Sequence, residues 1–532
     1  MEPSALASHI VIGSGPAGIS CAMALIQRNL NVIMVDAGYQ LDENILSIVQ
    51  DLQTLAPESW PAEHIDKIKN PVQVSPRKVT QKLFFGSRHV FGDPAQKFSG
   101  KYENFSGDFS FAEGGLSTVW GAAMLPALES ETKDWPFSVK DLEPYYKAVL
   151  KFVPLAAESD DLERLFPLCT SIFGNLKRAP QSRQFLEHAK LCAEAQKKAG
   201  FTVGAARLAI YTSAGERDCR YCGLCVFGCP YGSIYSSIAT LDQLKKHSKF
   251  TYLRGRIALS FSESLSQVSL KVLNVEEGSE DEIKGVQLYL ALGSLSTARL
   301  VLESANATNH PLKVLDNQMF LFPFFSFKKC KEASMEKGVT LTQVFLELYQ
   351  ESLGSHLIHF QSYAMSDVIV KALERMVPRF LLRSRFFKEE ILSRISIMQG
   401  FLHSDDSAGA TLILKRTSNS TQLQVEGRKS KKVQRHIRKI LFYIFRKSRF
   451  LGGMIIPGFA IKGRPGGSHH VGGILPMAKD PGHFQCDLNG KLYGYSRVQV
   501  VDASALPSLP ASTITFTVMA NAYRVGSISS ET

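Results

Sequence analysis

Apolar residues come in short blocks along this chain, and their spacing switches between the strand and helix periods. His9-Ile-Val-Ile12 reads as a strand running directly into Gly13-Ser-Gly-Pro-Ala-Gly18, a helix is predicted over Ile19 to Arg28, and a second apolar strand, Asn31-Val-Ile-Met-Val35, ends at Asp36. A third unit, Val286-Gln-Leu-Tyr-Leu-Ala-Leu-Gly293 followed by a helix over Ser294 to Ser304, repeats the strand-turn-helix order. Farther along, Gln318 to Lys329, Thr340 to Tyr349, His356 to Ala364, Arg394 to His403 and Gly409 to Val425 alternate apolar and polar positions, which predicts an antiparallel sheet.

The glycines of the first turn have separate steric tasks. Gly13 makes the tight turn, Gly15 lets backbone amides approach a pyrophosphate at the helix N-terminus, and Gly18 lets the helix pack on the strand. Asp36 stands where an acidic side chain accepts hydrogen bonds from ribose hydroxyls. Gly13, Gly15, Pro16, Ala17, Gly18, Asp36 and Ala37 are therefore the expected dinucleotide contacts. In Glu113-Gly-Gly-Leu-Ser-Thr-Val-Trp-Gly121, glycines bracket a hydroxyl pair and a tryptophan. Such a loop brings backbone close to a flat ring, with Gly115, Ser117, Trp120 and Gly121 as candidate contacts. A Trp120 packed under the turn for structural reasons is the competing reading.

Five segments occur here in the order found in the glucose-methanol-choline (GMC) family of FAD-dependent oxidoreductases. They are Gly13 to Gly18, Gly114 to Gly121, Ala291-Leu-Gly-Ser-Leu-Ser-Thr297, His469-His-Val-Gly472 and Val500-Val-Asp-Ala-Ser-Ala-Leu-Pro507. The resemblance covers about 1–40, 105–125, 210–305 and 465–525, and 306–464 carries no matching motif. It implies an α/β protein with a Rossmann-like FAD-binding domain from 1–305 and 465–532 and an inserted α+β substrate domain, 306–464, built on the antiparallel sheet. It also implies FAD, oxidation of an alcohol (a sugar, a polyol, or a lipid-linked or long-chain alcohol) by hydride transfer, and a histidine base. The first residue of H-x-x-G, His469, is the candidate and His470 the reserve, because neighbours on an extended segment point to opposite faces. Gly293, Asp502 and Ala503 are expected at the cofactor, and a strand over Thr251 to Ser260 is expected to pass the adenine with Ile257 in contact. The family places a second histidine or an asparagine shortly after the closing proline, and here Thr513 stands at that position. Threonine can hold an alcohol oxygen but is no base near neutral pH. A flavin-binding scaffold without turnover is thus an alternative to the alcohol oxidoreductase.

Cys219, Cys222, Cys225 and Cys229, followed by Pro230, have the C-x2-C-x2-C-x3-C-P spacing of ferredoxin cluster ligands. Three readings stand: an iron–sulfur cluster that would make the chain an electron-transfer flavoprotein, a zinc staple, or reduced structural thiols. The other cysteines are scattered singly, so no disulfide framework is expected.

With 45% hydrophobic residues among 532 and no apolar run of about 18, the chain reads as globular and not membrane-spanning. Its opening lacks a signal-peptide pattern, so a cytoplasmic location is expected. The net charge of +12 is uneven. Residues 371–388 hold six basic residues against Glu374, and 428–449 hold ten with no acid, so the remainder is slightly acidic. Apolar and basic residues interleave there at helical spacing, which suits an anionic membrane surface and a peripheral position on its inner face. Nucleic acid ranks last as partner, because no recognised module accompanies the charge. The electron acceptor is left open.

Overall fold

The computed structural model describes residues 8–70, 82–91, 98, 100–212, 215–330, 338–366, 368–370, 380, 384, 386–417, 420–456 and 458–529. At its centre lies a five-stranded sheet in the order Val498–Val500, Gln287–Leu290, Ser8–Ile12, Asn31–Val35, Phe250–Leu253, with every neighbouring pair parallel. Strand residues alternate between two cores. Val11 joins the core built with the helices Pro16–Gln27 and Thr515–Ile528, whereas Ile10 and Ile12 join the core built with the helix Ser294–Ser304. The result is a three-layer sandwich in which the last helix packs on the first. A fully buried parallel strand needs apolar side chains on both faces, and Ser8–Ile12 is buried at every position.

The single strand expected over Thr251 to Ser260 is two. Phe250–Leu253 completes the parallel sheet, and Arg256–Glu263 opens a three-stranded antiparallel meander with Val268–Asn274 and Glu280–Gly285. The break is at Gly255, whose φ of +72° turns the chain out of the sheet just past the end of its partner strand at Val35.

The antiparallel sheet also differs from expectation in its membership. Met319–Ser326, Ile395–Leu402, Ile358–Tyr363 and Val344–Leu348 pair in that order, bordered by Gly453–Ile455 and Ile461–Lys462 at one edge and Phe201–Ala205 at the other. The segment Gly409 to Val425 does not join them. It forms a hairpin, Ala410–Arg416 with Thr421–Gly427, in a second sheet with Leu312–Asp316, Val471–Gly472 and Gly100–Glu103. A turn at Ser404–Asp406, tied to the closing segment by Ser404 N–H donating to the Leu509 carbonyl at 2.9 Å, redirects the chain between the two sheets. Hydrogen bonding therefore crosses the expected divisions at 305/306 and 464/465: Phe201–Ala205 pairs with Val344–Leu348, and Leu312–Asp316 with Val471–Gly472.

The seven-stranded sheet has two unlike faces. Phe320, Phe322, Phe324, Leu346 and Phe360 form one apolar face with Val433, Ile437, Ile440 and Ile444 of the helix Lys431–Arg446. The opposite face carries Glu347, His359, Gln361 and Phe401, and Phe401 reaches the closing segment through the ring of His470 at 5.6 Å. Among the described residues no helix is long and apolar enough to cross a membrane.

Candidate active site

Between the parallel sheet and the closing segment runs a cleft with about 1280 Å³ of empty space, its open mouth included. One wall is the Gly13 to Ala17 turn with Asp36 and Ala37, another is Asp108 to Ala112 with Gly115, and Arg256 to Ala258 flank one side. Gly293, His469, His470, Asp502 and Ala503 line the remainder. Both chain ends thus meet around one space.

The turn is built for close backbone approach. Gly13, at φ +100°, donates its N–H to the Val35 carbonyl at 2.9 Å, and a side chain there would meet the Ala291 carbonyl oxygen at 2.6 Å. A Cβ on Gly18 would lie 1.9 Å from the Gly13 carbonyl oxygen, so Gly18 is a packing glycine beneath the cleft. Gly15 is different. Its φ of −67° suits any residue, and a Cβ there would meet nothing within 4 Å. Gly15 precedes the helix Pro16–Gln27, whose N-terminus has no side-chain cap and no acid in its first turn. Exposed amides at such a terminus favour an anion, and the space a side chain would fill at Gly15 and again at Gly293 suits a phosphate-bearing cofactor.

Asp36 is held by hydroxyls: those of Ser14 and Tyr252 donate to one carboxylate oxygen. Burial pushes its carboxyl up to about 6, and these hydrogen bonds oppose the shift. The same Ser14 oxygen accepts the Gly114 N–H at 2.8 Å, which docks the Glu113 to Gly121 loop on the nucleotide turn. Only Gly115 and Leu116 of that glycine-rich stretch reach the cleft wall. Ser117 accepts the Ser237 N–H at 2.9 Å, and the Trp120 indole donates to the Tyr235 carbonyl at 2.7 Å. Gly18, Ser117, Trp120 and Gly121 are not among the residues that line the cleft, and Gly18 has the packing task its place in the turn predicts. The loop's polar groups face the segment after the cysteines instead, where they find partners.

In the closing segment, Asp502 accepts from Gly293 N–H at 2.9 Å, from the Thr297 hydroxyl and from Ser504 N–H at 2.9 Å. It caps one turn while anchoring the start of the helix Ser294–Ser304, and burial raises its pKa. His469 and His470 both line the cleft, contrary to the expectation that only one would. The segment is turned rather than extended at that point: His469 adopts φ +59°, which cancels the alternation. His469 is exposed, with its ring 6.3 Å from Phe91. His470 is deeper. Its Nδ1 lies 3.0 Å from Asn317 Nδ2 and 3.1 Å from Asn317 Oδ1, and burial, with the charges of His469 and His359, pushes its pKa down to about 3. The following residues continue in register, with Val471 opposite Asp316, so the neighbouring Asn317 falls naturally against His470. Ser468 donates to Asp316 at 2.7 Å and accepts the His470 N–H at 3.0 Å, fixing the turn from its other side.

A scan against family profiles matches residues 459–522 to GMC oxidoreductase and residues 7–108 to pyridine nucleotide-disulphide oxidoreductase. The closing segment is a GMC oxidoreductase domain. With the nucleotide-binding match before it, the two ends of the chain support an FAD-dependent oxidoreductase. The GMC-type fold extends over the whole molecule. Pyridoxine 4-oxidase from Mesorbium loti superposes with a TM-score of 0.60 at 15% identity, covering 98% of each chain. A formate oxidase superposes at 0.62 with 13% identity over 97% of each chain. A formate oxidase variant from Aspergillus oryzae RIB40, studied for FAD modification, superposes at 0.60 with 13% identity over 97% of each chain. No curated protein sequence matches the chain.

Within the GMC domain, Thr513 is not on the cleft wall. It is buried, and its hydroxyl donates to the Ala123 carbonyl at 3.2 Å, while the next residues, Ile514 and Thr515, do line the cleft at the start of the last helix. Thr513 thus spends its hydroxyl on a backbone carbonyl in this structure. Sequence reading also missed Ser14, which occupies a variable position of the glycine turn, and Phe109, Phe111 and Asn317, which belong to no spaced motif.

The four cysteines of the run share one loop and lie close enough that their thiolates would repel one another. Burial pushes Cys219 and Cys222 up to about 12 and raises Cys225. Among the described residues no three of their sulfurs lie within 4.8 Å of one another. Tetrahedral zinc, with Zn–S of about 2.3 Å, needs sulfurs nearer than about 4 Å. The sulfurs as placed stand wider than a zinc site would hold them, and burial favours the protonated form of Cys219, Cys222 and Cys225.

Proposed function

We propose that the protein oxidises a CH–OH group of a small, alcohol-like substrate, with FAD held in the cleft and His470 rather than His469 taking the hydroxyl proton. The carrying observation is that a half-buried histidine, held by the Asn317 side chain, lines the cleft at which both chain ends meet. Pyridoxine 4-oxidase and formate oxidase, which share this fold, support a small-molecule oxidation.

The GMC motifs and the space above Gly15 and Gly293 fit FAD: the Gly13 to Ala17 turn would hold its pyrophosphate, Asp36 a ribose, and Asp502 with Ala503 the ribityl side. When bound, FAD supplies the hydride acceptor. The chain does the remainder. His470, kept neutral by burial, accepts the hydroxyl proton. Phe401 on the sheet packs against its ring and restricts it. The exposed His469 stands at the mouth, within reach of the substrate's distal part.

Rapid mixing with an alcohol and sugar panel under anaerobic conditions, followed by the bleaching of the oxidised-flavin absorption band, tests the reading. Replacement H470Q is expected to slow reduction by about 10²- to 10⁴-fold, the size of a general-base contribution, and H469Q by less than tenfold. A flavin that stays oxidised with every compound in the unaltered protein would favour the scaffold reading instead.

We also propose that the helix Lys431–Arg446 docks on anionic lipid. Its inner face is apolar and packed on the sheet, while Lys431, Lys432, Arg435, Arg438, Lys439 and Arg446 point outward, exposed, together with Phe442 at 61% exposure. None of these cations forms an ion pair among the described residues. A phenyl ring among unpaired cations suits a headgroup layer better than water. Most of the other basic segment, 371–388, lies outside the described residues.

A further inference from the structure

Two histidines and an aspartate that do not line the cleft converge where the seven-stranded sheet meets the turn Ser404–Asp406. His356 precedes the strand Ile358–Tyr363 and His403 follows the strand Ile395–Leu402, and these strands pair with Ile358 opposite Leu402. Antiparallel pairing therefore sets the two imidazoles side by side, with ring centroids 3.9 Å apart and planes 10° from parallel. Each ring has its outer nitrogen engaged. His403 Nε2 lies 3.1 Å from the Glu131 carbonyl oxygen, which can only accept, and its Nδ1 accepts the Asp405 N–H at 3.2 Å. Both contacts require the same form, Nε2–H with the lone pair on Nδ1. His356 Nδ1 lies 2.9 Å from Asp406 Oδ2, so a carboxylate takes its N–H and the lone pair falls on Nε2. The two lone-pair nitrogens then face one oxygen: Asp405 Oδ2 is 3.9 Å from His356 Nε2 and 3.6 Å from His403 Nδ1.

We propose that His356, His403 and Asp405 form a site for one divalent transition-metal ion, with zinc as its probe. One ligand atom from each of the three lies within 4.8 Å of the others. Zn–N of about 2.0–2.1 Å and Zn–O of about 2.0–2.2 Å put tetrahedral ligands about 3.4 Å apart. Small rotations of the exposed Asp405 and the half-buried His356 close the set to that spacing. Imidazole with carboxylate is a donor set that zinc accepts. The outer contacts belong to the same arrangement, because a ligating histidine gives its second N–H to a carboxylate or a backbone carbonyl, and Asp406 and Glu131 receive them here. The ion would take the His403 lone pair from the Asp405 N–H, whose contact is at the long end of the hydrogen-bond range. Its charge would be met by Asp405 beside it and by Asp406 behind His356. The role is structural. Ser404, next to His403, donates its N–H to the Leu509 carbonyl at 2.9 Å and accepts the Leu509 N–H through its hydroxyl at 3.0 Å. An ion there clamps the ends of two strands and the turn that holds the closing segment, with no part in the oxidation.

Chelator-treated, FAD-loaded protein is dialysed against zinc chloride, and three quantities are measured: retained zinc, melting temperature, and the ligand shell by X-ray absorption at the zinc edge. One zinc per chain is expected, with a first shell of nitrogen and oxygen at about 2.0–2.1 Å. The melting temperature should rise by several degrees, since the assembled ligand set exists only in the folded chain. D405N and H356Q should each weaken zinc binding by about tenfold or more, and D406N, which alters only the group behind His356, by about tenfold. D405N should reduce its flavin at the unaltered rate. A shell of sulfur alone at about 2.3 Å would put the zinc on the Cys219 to Cys229 run and overturn the proposal. Where both places fill, loss of the nitrogen and oxygen shell in D405N supports it and persistence of that shell overturns it. No zinc retained by the unaltered protein, or equal zinc affinity in D405N and H356Q, would also overturn it. If H356Q fails to fold, D405N, a change at an exposed position, carries the test.

Discussion

Glycines at neighbouring positions of the nucleotide turn do different work, and substitution separates them. Gly18 has a carbonyl oxygen 1.9 Å from where a Cβ would stand, and backbone cannot swing aside as a side chain can. G18A is therefore expected to open the turn and yield protein that loses FAD on gel filtration. Gly15 has φ −67° and open space toward the cleft. G15A should keep its melting temperature within about a degree or two in the FAD-free form, yet bind FAD about tenfold more weakly, a loss of about 1.4 kcal/mol. Titration of each apoprotein with FAD distinguishes steric damage to the fold from steric exclusion of the ligand. Equal FAD affinity for G15A and the unaltered protein would remove the phosphate from that space. The same scale explains His469 and His470. Both satisfy H-x-x-G, with Gly472 and Gly473, and only the backbone turn at His469 and the amide of Asn317 tell them apart.

Between elements, the seven-stranded sheet and the closing segment are joined through Glu131. Its carboxylate accepts Leu357 N–H at 3.0 Å and a hydrogen bond from the backbone of Ala511, and its own carbonyl lies 3.1 Å from His403 Nε2. Burial and the nearby Glu347 push its carboxyl up to about 8. A raised folded-state value means that the folded protein keeps a proton the unfolded chain has released. This contribution is therefore complete below about 4.5 and is lost as pH rises toward 8. Glutamine keeps the acceptor without the charge. The melting temperature of E131Q relative to the unaltered protein should consequently rise between about pH 5 and about pH 8, by several degrees in scanning calorimetry. A flat difference across that range would show that the carboxyl is not protonated in the fold. Element prediction itself was most successful for the parallel strands, where a buried strand must be apolar on both faces. It failed at Gly255, where one strand became two, and at Gly409 to Val425, which alternates like its neighbours yet pairs elsewhere. Alternation reports which side of a strand is buried, not against which sheet.

At the scale of the molecule, charge is segregated. The helix Lys431–Arg446 covers the sheet face opposite the one that carries His359 and Phe401, so docking through it would leave the cleft unobstructed. Flotation with vesicles of phosphatidylcholine containing about one-fifth phosphatidylglycerol should carry the protein upward at low salt, with release as salt screens the contact. Charge reversal in R438E/K439E, which lies on the exposed face, should abolish flotation while leaving flavin reduction unchanged. Retention in the soluble fraction at low salt, or equal flotation of the variant, would end the lipid reading.

Much of the nucleotide half was legible from residues alone because its constraints are local. A turn that must approach a phosphate needs glycine at fixed offsets, and a carboxylate must close the second strand, so Gly13, Gly15 and Asp36 announce themselves by spacing. The cleft's other side was legible as a motif order, through Asp502 and Ala503, but not in its working detail. Trp120 and Thr513 carry plausible chemistry in the right neighbourhood, yet each spends its polar group on a backbone carbonyl away from the cleft. What the chain determined by itself was the existence of the dinucleotide turn and the buried strands behind it, since steric and solvation rules act there over a few residues. Which histidine is held, and by what, was decided only when Asn317, Pro510 and His470 came together from three distant stretches, because a hydrogen bond between remote side chains leaves no period or spacing in the sequence that encodes it.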